Sequence, residues 1–122
     1  MREFSSGATR DNDTEKIDFE GFLNPLVLQA FGEYMHHHRK QADGKLRDSD
    51  NWQSLFGDNH YDVCIKSAWR HFHDLCMEHR GYKSREGIDA ALGGLIFNAM
   101  AYWLKILLER EEQNEKNHGK SN

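Results

Sequence analysis

The chain has 122 residues and a net charge of −4, with 30% charged and 38% hydrophobic residues. That length supports one domain around one compact core. The acidic balance excludes broad electrostatic capture of a nucleic-acid polymer or an anionic membrane near neutral pH, while leaving local basic groups for a small phosphate ligand.

Residues 1–20 are polar and carry no sustained period, so they read as an extended or flexible arm. Phe19, Phe22 and Leu23 supply apolar anchors ahead of the helical domain expected over 21–110. Asn24 as N-cap and Pro25 in the first turn start a helix running to about Lys40. Val27, Ala30, Phe31, Tyr34, Met35 and His38 follow the i, i+3, i+4 spacing of one apolar face. The run His36-His37-His38 invites a metal reading, but consecutive helical residues point in different directions, and cations suit a helix C-terminus electrostatically. Asp43-Gly44 turns the chain.

A polar loop follows, with Asp50-Asn51-Trp52 at its centre. Trp52 suits either a core plug or a platform on which a base stacks, with Asn51 beside it for polar contact. The second helix is expected over about Tyr61 to His79, closed by Gly81. Ser84 then caps a third, from about Arg85 to Gln113, ahead of a flexible tail over 111–122. Ala90 to Leu108 is the most apolar run, interrupted by Gly93, Gly94, Asn98 and Lys105. It reads as a buried central helix rather than a membrane span. Asn98, set among apolar neighbours, must find a partner in a ligand or in another helix. Cys64 and Cys76 fall twelve apart within one helix, about 18 Å, too far for a disulfide. Two free thiols and the absence of an apolar leader point to a reducing, cytoplasmic setting. The fold expected is all-α, with three main helices in a small bundle. The third helix carries apolar side chains around much of its circumference, so the bundle is expected to be completed by homo-oligomerisation.

The second helix is the most informative. At 100° per residue, Ser67, His71, Asp74 and Glu78 form one polar stripe, while Ile65, Ala68, Trp69, Phe72, Leu75 and Cys76 form an apolar face. The expectation is that the apolar face is held by the bundle and the polar stripe is either solvated or lines a site. His71, Asp74 and Glu78 are the candidate catalytic groups, with Asp74, Glu78 and Asp89 as candidate ligands for Mg²⁺, or alternatively Mn²⁺. Arg10, Lys16, Arg39, Arg47, Lys66 and Arg70 are available to phosphate. No nucleophile elbow, Walker loop, His-Glu-x-x-His or Cys-x-x-Cys motif is present.

The series Gly7-Ala8-Thr9-Arg10-Asp11, Lys16-Ile17-Asp18-Phe19, Asp50-Asn51-Trp52, Ser67, Arg70-His71 and Asn98 resembles the motif series of phage and bacterial dATP/dGTP diphosphohydrolases. That family is in turn similar to the all-α nucleoside triphosphate pyrophosphohydrolases of the MazG type. The resemblance implies a helical oligomer that binds a nucleotide between helices and, with Mg²⁺, releases pyrophosphate. It gives Arg10, Lys16 and Arg70 to phosphate, Asn51 and Trp52 to base or ribose, and Asn98 to the ligand. The chain departs from the MazG pattern at Ala91-Leu92-Gly93-Gly94, where acids are expected. An inactive protein that sequesters a nucleotide, or a purely structural helical oligomer, are the alternatives.

Overall fold

The computed structural model describes residues 2–3, 9–10 and 15–120. It is a small all-α fold. A short helix α1 (Phe19–Phe22) leads into α2 (Pro25–His37), and a 3-10 turn (Asn51–Ser54) precedes α3 (His60–His79) and α4 (Ile88–Lys120). Arg2–Glu3 and Thr9–Arg10 pair as antiparallel two-residue strands, β1 and β2. The other residues of the expected arm before Glu15 lie outside the described residues.

The helix starts follow their caps. The Asp18 carboxylate accepts from Gly21 N–H, and the Asn24 side chain accepts from Leu26 N–H ahead of Pro25. The third expected helix begins later than its sequence suggests. Gly87 sits at φ +94°, and Ser84 Oγ accepts from Gly87 N–H at 3.1 Å, so the chain turns there and α4 opens at Ile88. It also runs further than expected, through Gln113 to Lys120. Pairs one turn apart, Gln113 with Asn117 and Glu112 with Lys116, support the extension. At 33 residues α4 spans about 50 Å against about 30 Å for α3, so its end projects from the bundle. Helix α4 is long and apolar enough to cross a membrane by length and composition alone.

Helices α2 and α3 both pack on α4 and not on each other. The α4 surface that receives them is made of small residues: Ala91, Gly93, Gly94 and Ala101 are buried. A Cβ on Gly93 would collide with the Tyr34 ring of α2, and one on Gly94 with the His71 ring of α3. The two glycines therefore set how near each neighbour comes.

The face of α3 turned toward α4 is the polar stripe, the reverse of the expected arrangement. His60, Cys64 and Asp74 are buried there, with Ser67, His71 and Glu78 half-buried. Each polar group except one finds a partner. His60 Nε2–H donates to Ala101 C=O at 2.8 Å, while its Nδ1 accepts from Phe56 N–H at 3.1 Å. Ser67 Oγ accepts from Asn98 Nδ2 at 3.1 Å. Asp74 takes a two-pronged hydrogen bond from Arg85, at 2.7 and 3.3 Å. These partners, on α4 and in the loop before it, offset most of the desolvation that the inward stripe incurs, His71 Nδ1 excepted. Ile65, Trp69, Phe72 and Cys76 face outward instead, with Trp69 at 66% exposure.

Gly94→Ala is expected to destabilise the fold by about 1–3 kcal/mol through overpacking against His71. Gly32→Ala, on open α2 surface, is expected to stabilise it by about 0.5–1 kcal/mol. Urea unfolding of the two variants beside the parent measures both.

Candidate functional site

The turn at Asp43-Gly44 organises the best-formed site. Gly44 adopts φ +85°, the Asp43 carboxylate accepts from Lys45 N–H, and Lys40 and Leu46 bridge in antiparallel fashion. The two chain segments thereby place Arg39 and Arg47 side by side. Arg47 N–H donates to Arg39 C=O at 2.9 Å, and Arg39 Nε donates to Arg47 C=O at 2.8 Å. Arg47 Nη1 donates to His38 C=O at 3.3 Å. Backbone carbonyls thus orient both guanidinium groups, and neither meets a carboxylate among the described residues. Two oriented guanidinium forks without a paired carboxylate are suited to an anion, phosphate above all, and Asp48 and Glu86 line the same cavity at other positions.

Both arginines line a cavity of about 560 Å³ enclosed by the C-terminal end of α2, the loop after it, α3 and α4. Its size falls in the range of small-molecule sites. Trp52 and Phe97 form an aromatic wall, edge to face at 6.0 Å. Asn51, Ser67 and Asn98 add polar atoms. Asn98 is 4% exposed, and its Nδ2 is committed to Ser67 and to Gly94 C=O. Its Oδ1 has no protein donor among the described residues. His71 completes the inner wall. Its Nδ1 is buried without a hydrogen-bond partner, which makes it the one exception among the polar groups of the α3 stripe. Burial holds the His71 imidazole below its ordinary pKa, against the opposing pull of Asp74 and Glu86.

The structure divides the polar stripe of α3. Ser67 and His71 line the cavity, whereas Asp74 and Glu78 do not. Arg85 engages both Asp74 oxygens and, chiefly by those hydrogen bonds, keeps the Asp74 carboxyl below its ordinary pKa. Glu78 Oε1 accepts from Ser84 N–H and Oγ. These two acids fasten the loop between α3 and α4. Asp89 lies on a neighbouring cavity of about 630 Å³ with Glu33 and Glu86. The three acids expected to share Mg²⁺ are therefore not brought together. Among the described residues no group of three or more His, Cys, Asp or Glu side chains is arranged to hold a metal ion.

Arg70 borders a shallow recess of about 280 Å³ on the outer side of α3, next to Trp69 and Asp74. Lys16 is exposed ahead of α1, away from the cavity. Arg10 belongs to β2, and its side chain lies outside the described residues. The His36–His38 run fans out as its helical spacing requires. His36 Nδ1 faces Arg39 Nη1 at 3.4 Å, His37 lines the neighbouring cavity, and His38 lies tilted against Tyr34 at 4.3 Å, bordering both cavities. Sequence reasoning included Arg39 and Arg47 only among many cations. The signal that could have singled them out is their equal reach on either side of an Asp-Gly turn.

No family, no curated protein and no solved structure matches the chain.

The lowered His71 pKa has a pH consequence. The folded state takes up a proton at His71 less readily than the unfolded state does. Stability from this group is full above the ordinary value of 6.5 and is lost as pH falls from there through the folded value. Thermal melts between about pH 7.5 and about pH 5 should show His71→Gln declining less steeply than the parent; equal slopes would remove His71 as the source.

Proposed function

We propose that the chain binds a nucleotide in the cavity between α2, α3 and α4. The observation that carries this reading is the pairing of Arg39 and Arg47 at one side of a cavity whose other wall is aromatic. The arginines would take phosphate, and Trp52 with Phe97 would face the base. Asn51, Ser67 and Asn98 Oδ1 would supply the directional polar contacts that a base edge or a ribose needs. Three of these groups, Asn51, Trp52 and Asn98, are also those that the resemblance to dATP/dGTP diphosphohydrolases gives to a ligand.

That resemblance extends the reading to a Mg²⁺-dependent diphosphohydrolase. Against turnover stands the engagement of Asp74 by Arg85 and of Glu78 by Ser84, which removes the acids that would be expected to hold the metal. We therefore favour binding without hydrolysis by a single chain: a protein that sequesters a nucleotide in the cytoplasm. Pyrophosphate release from a deoxynucleoside triphosphate with Mg²⁺ would decide for the enzyme instead.

Calorimetric titration with a panel of ribo- and deoxynucleotides tests the site. Arg39→Ala and Arg47→Ala should each weaken binding by about 1.5–3 kcal/mol, roughly ten- to a hundredfold. Trp52→Ala should cost about 1–3 kcal/mol. Arg70→Ala, outside the cavity, should leave affinity unchanged. Full affinity in the Arg39 and Arg47 variants would dismiss this cavity as the nucleotide site.

A further inference from the structure

The outer face of α3 calls for a partner. Ile65, Trp69, Phe72 and Cys76 recur at intervals of four, three and four residues, so they form one straight stripe on the side of α3 away from α4. All four are exposed, and Trp69 and Phe72 meet edge to face at 6.0 Å. The opposite face of the same helix turns its polar groups toward α4, which leaves this apolar stripe exposed between Lys66, Arg70 and His73. Ile65, Trp69 and Phe72 expose 49%, 66% and 46% of their surface, so the apolar stripe is open along its length.

We propose that this face seats a second copy of the chain, α3 against α3, antiparallel about a two-fold axis. The stripe is complementary to its own reverse. With the axis passing between Arg70 and His71, Trp69 packs on the partner's Phe72 and Ile65 on the partner's Cys76. The same register sets Asp62 opposite the partner's His79, so an acid and an imidazole meet at each end of the contact. Isologous pairing of this kind closes after two copies and leaves no stripe unpaired on α3. Ser67 and His71 lie on the opposite side of the helix, so the nucleotide cavity stays open. The pairing stands or falls apart from the nucleotide reading.

Sedimentation of the full chain at micromolar concentration should give about twice the 14.3 kDa chain mass. Trp69→Glu should shift it to monomer, raising the dissociation constant at least roughly tenfold with the helical circular dichroism retained. In an otherwise unchanged chain, Ile65→Cys should form a covalent dimer with the partner's Cys76 on mild oxidation, and Cys76→Ser in that background should abolish it. This crosslink reads the register even if the Trp69 variant fails to fold. A monomeric parent would overturn the proposal. So would a dimer that survives Trp69→Glu, or a dimer in which Ile65→Cys gives no crosslink, since either moves the seat to another face such as Leu92, Ile96 and Trp103 of α4. Cosedimentation of a monomeric parent with phosphatidylcholine vesicles would assign the face to lipid and equally overturn it.

Discussion

Two adjacent residues without side chains govern the arrangement of this protein. At Gly93 and Gly94 the α4 backbone is bare, and the Tyr34 and His71 rings fill the space that two Cβ atoms would claim. Glycine costs a helix roughly 1 kcal/mol relative to alanine, and here the cost is offset by the approach of two neighbouring elements. The same contact fixes the cavity walls, because Tyr34 and His71 both border it. A site formed this way depends on helix separation before it depends on any polar group.

The inward polar stripe of α3 follows from that closeness. A backbone surface of small residues offers carbonyls and an amide at short range, and these suit hydrogen-bonding side chains better than branched apolar ones. His60 is the clearest case. Fully buried, it ties the start of α3 to Ala101 of α4 and to Phe56 of the preceding loop, using one ring nitrogen as donor and the other as acceptor. Its role is to join three segments, and it belongs to the architecture rather than to the site.

Much of this was legible in the sequence. Asn24-Pro25 marks the start of α2, the 3.6-residue period marks α2 and α3, and the distance between Cys64 and Cys76 forecasts two free thiols. Of the residues singled out, Asn51, Trp52, His71 and Asn98 line one cavity, whereas Asp74, Glu78, Asp89, Lys16 and Arg70 do not. What periodicity could not supply was direction. It separated the two faces of α3 but could not say which of them meets α4, because that depends on the residues opposite. Spacing likewise grouped Asp74 and Glu78 with His71, although Arg85 and Ser84, from the next loop, take those acids. The adjacency of Arg39 and Arg47 arises from a turn whose closure no helical period encodes. Gly93-Gly94 reads in the sequence as a break in the apolar run, and the structure shows it as the point where Tyr34 and His71 approach the α4 backbone.

Helix α4 acts as a common spine, with α2 and α3 fastened to it independently. Two elements that share a support but not a contact have no direct restraint on their separation. The separation across the gap is set by how each helix seats on α4, α2 through Tyr34 over Gly93 and α3 through His71 over Gly94. The cavity lies in that gap, with Arg39 beyond the end of one helix and His71 on the other. A molecule lodged there would act as a strut, touching α2, α3 and α4 at once and adding a direct tie between two helices that otherwise meet through α4.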